Sequence, residues 1–204
     1  MCASVTNLPV RQSHDGRLIG RAIERSGVAG DSDDAFLHIF NAAVGIEWVT
    51  GISLRRVGTR LDKEALRSAG LRGNAIITEE FLGCLNETGR VDPMASGDTL
   101  AHTINVCRSS WGDITGHARS FGKERPIYFW PSYMLAGPCD VAKAIGDQEL
   151  SIEDAVLLPL AGCSHPGQCW CFYRQSARER QSTPTADDDL DLSAYGISII
   201  FRGD

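Results

Sequence analysis

From residue 15 to about residue 115, apolar residues recur at intervals of three and four, and each run is bounded by residues that start or stop helices. DGRLIGRAIERSG (15–27) predicts a first helix, with Asp15 as cap, Leu18, Ile19, Ala22 and Ile23 as its apolar stripe and Gly27 as its stop. A loop through Asp31, Asp33 and Asp34 leads into DDAFLHIFNAAVGIEW, whose Phe36, Leu37, Phe40, Ala43 and Val44 suit a buried face. That loop lacks the glycine and distal glutamate of an EF-hand, so it reads as a cap and not as a calcium site. His38, between apolar neighbours, reads as a satisfied or half-exposed histidine. TGISLRR (50–56) reads as a short strand, and TRLDKEALRSAG as a helix ending at Gly70. NAIITEEFLGCLNETG reads as one helix capped by Asn74 or Thr78, with Cys84 on its apolar face. SGDTLAHTINVCRSSWGD reads as another, capped by Ser96 or Asp98, with Leu100, Ile104 and Cys107 inward. The first 115 residues therefore hold about five helices.

The pattern then changes. Pro126, Pro131, Pro138, Pro159 and Pro166 stiffen a stretch that also holds Tyr128, Trp130 and Tyr133. PIYFW begins a strand, CDVAKAIG is a short helix stopped by Gly146, and SIEDAVL opens with Ser151 and Asp154 at capping-box spacing. A turn-rich segment leads into a strand-like CWCFYR. Beyond it, QSARERQSTPTADDDLD reads as a charged linker, and LSAYGISIIFRGD as a terminal strand with Ile197, Ile199 and Phe201 on one face. The expected fold class is α+β: a mostly helical N-terminal body over 1–125, a small Cys/His module over 126–175, a linker over 176–192 and a C-terminal β-strand over 193–204 packing back on the body.

Composition narrows the function classes. A chain of 204 residues, 43% hydrophobic and 23% charged, is an ordinary folded protein. A net charge of −6 argues against general nucleic-acid binding and against an anionic membrane partner. Only three of the 20 basic residues are lysines. Arg17, Arg21 and Arg25 share one helix face, which reads as a solvated face beside Glu24, with a phosphate-binding stripe as the alternative. No stretch approaches the roughly 20 apolar residues of a membrane span, and the N-terminal residues lack a secretory pattern. A cytoplasmic location follows as the expectation, and with it reduced thiols. Seven cysteines cannot pair completely within one chain, which further disfavours a disulfide framework.

The candidate chemistry lies in GCSHPGQCWCFYR, which gathers Cys163, His165, Cys169 and Cys171 within nine residues, with Cys139 as the remote partner. Soft sulfur and imidazole ligands at turn spacing fit a tetrahedral Zn2+. The ligand set is drawn from Cys139, Cys163, Cys169 and Cys171, with His165 as substitute for one. Two other readings stay open. The cysteines are small buried residues, or Cys163 is a nucleophile with His165 as its base. No orienting acid or oxyanion loop accompanies that pair, and no nucleotide-binding or hydrolase motif occurs elsewhere, so an enzyme is the less favoured class.

The stretch from Cys139 to Arg174 resembles a cysteine-rich module of small proteobacterial proteins, through Cys139, Ala142, Leu158-Pro159-Leu160, Cys163, Cys169, Cys171 and Tyr173. His165, Pro166, Cys169 and Cys171 also resemble the C-terminal signature of Mu F-type phage head-morphogenesis proteins. Here one extra residue follows Pro166, Trp170 replaces an arginine, and Ala142 stands where a second upstream cysteine is expected. The resemblance implies a metal or thiol module and, for the phage family, a virion or prophage assembly component. The expected function is a non-enzymatic intracellular binding or assembly protein with a zinc-stabilised module, acting through a protein partner or self-assembly. The rivals are the virion component and a thiol-dependent enzyme.

Overall fold

The computed structural model describes residues 14–133 and 137–175. The linker expected over 176–192 and the strand expected over 193–204 lie outside those residues. The described part is α+β, with helices α1 (His14–Ser26), α2 (Asp33–Ala43), α3 (Gly51–Arg55), α4 (Lys63–Ser68), α5 (Glu79–Cys84), α6 (Glu87–Val91) and α7 (Pro93–Phe121). Strand β1 (Ile127–Trp130), helix α8 (Asp140–Ile145), strand β2 (Gln148–Leu150), a 3-10 turn (Pro166–Gln168) and strand β3 (Phe172–Gln175) follow.

The helices begin where polar side chains meet their free N–H groups. Ser32 accepts from Ala35 N, Asp62 from Glu64 N and Ala65 N, and Thr78 from Phe81 N. The strand expected over 50–56 is instead α3. Thr50 and Ser53 form a reciprocal capping box, and Leu54 and Arg55 are buried beneath it. Local hydrogen bonding of this kind outweighs the weak alternation of a seven-residue run. The single helix expected over 74–89 is two, because Leu85 adopts extended backbone and Asn86 starts α6 by accepting from Gly89 N at 2.8 Å.

Helix α7 is the largest departure from the sequence reading. It starts at Pro93 under an Asp92 cap, places Ser96 inside the helix, and runs 29 residues to Phe121. Its apolar stripe thins after Cys107, where only Ile114 and His117 and the small Ser110 are buried, so the periodic signal fades although the helix continues.

That length joins two buried clusters. Leu100, Ala101, Ile104 and Cys107 pack with Leu18, Ile39, Leu54 and Phe81 of the other helices and with Ile77, which precedes α5. About two turns further on, Ile114 packs with Ile127, Phe129, Cys139, Leu158 and Tyr173. Leu157 belongs to the first cluster and Leu158 to the second. Arg25 donates to the carbonyls of Leu157 and Pro159, and Ser110 Oγ accepts from Leu158 N at 2.9 Å. The Leu-Pro-Leu segment, with a cis bond before Pro159, is thus held by both α1 and α7.

The sheet is antiparallel in the order β2-β1-β3, with Ile127 opposite Leu150 and Gln175, and Phe129 opposite Gln148 and Tyr173. Strand β2, too short and polar to signal itself, is absent from the sequence reading. Ile127, Phe129 and Tyr173 point into the second cluster, while Tyr128, Trp130, Phe172 and Arg174 occupy the other face. Tyr173 is fastened by its hydroxyl, which donates to Val156 O at 2.7 Å and accepts from Val156 N at 3.1 Å.

Candidate functional site

Three separate segments deliver cysteines to the second cluster. Cys139 immediately precedes α8, Cys163 follows the Gly162 turn after Leu160, and Cys169 and Cys171 flank Trp170 between the 3-10 turn and β3. Gly162 has φ 79°, a conformation that costs glycine little, and it turns the chain back toward Val141 of α8. Cys139, Cys169 and Cys171 are 5%, 3% and 7% exposed, and Cys163 is half-buried. All are free thiols.

The thiols interact with one another: Cys163 hydrogen-bonds Cys139 and Cys169, and Cys169 hydrogen-bonds Cys163 and Cys171. The remote partner expected from the sequence therefore does reach the cluster, through Cys163. Each sulfur also faces a backbone N–H: Ala142 toward Cys139, His165 toward Cys163, Cys171 toward Cys169 and Ser132 toward Cys171. The Ala142 approach falls short of a true side-chain cap on α8.

The electrostatics follow from this pattern. The Cys169 thiol, hydrogen-bonding to Cys163, is the chief cause pulling Cys163 down to about 5, and the same group draws Cys171 down to about 7. As the shared donor, Cys169 is pushed up, while burial raises Cys139. Cys84 at the end of α5 and Cys107 in the helical core lie apart, and burial pushes both thiols up to about 11.

His165 is placed differently from the rest. Its Nε2 hydrogen-bonds the Gly137 carbonyl at 2.9 Å and its Nδ1 the Ser164 hydroxyl at 2.9 Å, so both ring nitrogens are engaged away from sulfur. Its backbone N–H hydrogen-bonds Cys163, and its ring acts on that thiol through charge alone. Among the described residues no group of three or more His, Cys, Asp or Glu side chains already converges as a bound ion would require. The four thiols are near enough that Cys171 also acts through its charge on Cys139, and Cys163 on Cys171.

Two residues that position this loop went unread in the sequence. His102 of α7 hydrogen-bonds the Cys169 carbonyl through Nε2 at 2.6 Å, and its ring lies 5.3 Å from that of Trp170. Gly167 sits against Thr99 of α7 so closely that a Cβ would stand 2.6 Å from the Thr99 hydroxyl and 3.1 Å from its Cα. Both lie on the helix face opposite the periodic apolar stripe or within a turn, where no local pattern marks them.

Beside the cysteines the surface is aromatic. Trp48, Trp170 and Phe172 are 63%, 46% and 42% exposed. With Asp113, Cys169 and Cys171 they bound a cavity of about 160 Å³. Phe172 stacks on Trp130 at 6.2 Å, and the Arg174 guanidinium lies 3.9 Å over Trp130 and 4.7 Å over Tyr128. Among the described residues no helix is long and apolar enough to cross a membrane.

No protein-family model matches the chain, and no curated protein or solved structure matches it either.

Proposed function

We propose that the protein is a non-enzymatic intracellular binding or assembly protein whose cysteine module is held by a zinc ion on Cys139, Cys163, Cys169 and Cys171. The observation that carries this reading is the meeting of four sulfurs from three segments, each facing a backbone N–H. Amide donors favour thiolate over thiol, and thiolate is the form that binds metal. An all-sulfur set fits zinc in a closed structural site. Loading draws the four sulfurs about one centre and releases their protons. His165 then acts through its backbone amide and its bond to Gly137, not as a ligand.

This arrangement favours a structural role over thiol catalysis, since the His165 ring is turned to Gly137 and Ser164 rather than to the Cys163 sulfur. The exposed Trp48, Trp170 and Phe172 supply the surface for a protein partner, a further copy of the chain included, because aromatic and arginine side chains dominate such contacts. The resemblance to phage head-morphogenesis proteins rests on these same cysteines and supports assembly as the setting.

Metal analysis tests the reading. Protein purified without chelator is expected to carry about one zinc per chain, and Cys139→Ser to lose most of it while the helical far-ultraviolet signal persists. Metal-free protein whose cluster thiols all titrate as free would overturn it, as would a Cys139→Ser variant that keeps full zinc.

A further inference from the structure

We propose that the cleft between α1, the later half of α7 and the segment around residues 152–157 is a binding site for a small amphipathic organic anion, independent of the cysteine cluster. The cleft encloses about 470 Å³, within the range of small-molecule sites. Its floor is apolar, formed by Leu18, Ile114, Ile152 and Leu157. Its rim is cationic, formed by Arg17, Arg21, Arg25 and Lys123, and among the described residues no aspartate or glutamate lines it. In a chain of net charge −6, such a one-signed lining is a local inversion of the overall field.

The arginine stripe that reads as a solvated face in the sequence is therefore the wall of a cavity. Successive arginines stand four residues apart on α1, which spaces their attachment points by roughly 6 Å along the axis. Arg25 is fixed at one end by its bonds to Leu157 O and Pro159 O. At the other end the rings of His14 and Trp111 meet at 4.6 Å and 59°, which gives the cleft an aromatic corner. Asp15 holds that end of α1 to α7, pairing both carboxylate oxygens with Arg108 at 2.9 and 2.6 Å. Both walls are thus set without a ligand, so little ordering cost falls on binding.

The chemistry this cleft recognises is an acidic head, phosphate or carboxylate, on an apolar body. Guanidinium groups take the head in charge-assisted hydrogen bonds, and the floor takes the body. An aromatic body, as in a nucleotide, would use the His14–Trp111 corner. An aliphatic one, as in a fatty acid, would use Leu18, Ile114 and Ile152.

Calorimetric titration of the full chain with adenosine triphosphate, with decanoate and with inorganic phosphate tests this. One of the two organic anions is expected to saturate at one per chain, and inorganic phosphate to bind at least about tenfold more weakly for want of a body. Arg21 is exposed, so Arg21→Ala is expected to fold as the parent does, with the circular dichroism spectrum as check. It should weaken the preferred anion about tenfold. Lys123→Ala, read the same way, should weaken it in the same direction. Failure of both organic anions to saturate overturns the site. Equal binding by inorganic phosphate overturns its amphipathic character, and unchanged affinity in both variants overturns its location.

Discussion

His38 illustrates how one residue carries a measurable consequence of burial. It is buried between α2 and the helices around it, with Nε2 at 3.3 Å from the Leu54 carbonyl and its ring 6.1 Å from that of Phe81. Burial is the chief cause that lowers its pKa, and the Leu54 carbonyl and Glu80 only partly offset it. The unfolded chain, with an ordinary imidazole near 6.5, therefore binds a proton before the folded protein does. Stability from the neutral ring is fully present above that value and is lost as pH falls through it toward the folded pKa. Urea denaturation at pH 7.5 and 5.5 should show the wild type losing more stability than His38→Gln over that interval. Parallel losses in the two proteins would show that the ring titrates alike in both states.

At the scale of elements, the decisive contact is between α7 and the 3-10 turn Pro166–Gln168. Thr99 and His102, a turn apart on α7, meet Gly167 and the Cys169 carbonyl. The contact sets where the Cys169-Trp170-Cys171 segment stands relative to Cys163. Because Thr99 Cα is backbone, a methyl group at residue 167 cannot be accommodated by a side-chain rotation alone. Gly167→Ala should therefore cost about 1–3 kcal/mol in chemical denaturation. On the zinc reading, it should also reduce zinc affinity about tenfold in competition with a chromogenic chelator, as displaced outer-shell support commonly does. Parental values in both measurements would mean that the turn does not position the cysteines.

At the scale of the whole molecule, two clusters share α7 but differ in what sustains them. The helical cluster is built on Leu, Ile and Phe side chains from most of the helices. The second is built around a three-stranded sheet whose strands have three or four residues, with cysteines at its centre. Sheets this small rarely stand on packing alone. On the zinc reading, excess chelator should speed amide hydrogen exchange in β1, β3 and α8, leaving α1 and the Leu100–Cys107 part of α7 protected. Uniform acceleration, or none, would refute separate support of the second cluster by metal.

The helical character of the first half and the positions of α1, α2, α4, β1, α8 and β3 were legible in the sequence, because each rests on local information. Periodicity, a cap, a stop glycine or a cysteine spacing acts over a few residues. Cys163, Cys169 and Cys171 could be grouped on the same ground, being close in the chain. The tertiary structure alone decided the rest. Reciprocal capping and burial of Leu54 turned residues 51–55 into a helix, and Asn86 divided one expected helix into two. The apolar stripe of α7 gave no notice of its last turns, since small and polar residues there pack against a second core formed by distant strands. Whether His165 faces sulfur depended on Gly137, 28 residues away, and whether three arginines border water or a cleft depended on Ile152 and Leu157. Such outcomes turn on contacts between segments far apart in the chain, whose geometry no local spacing encodes.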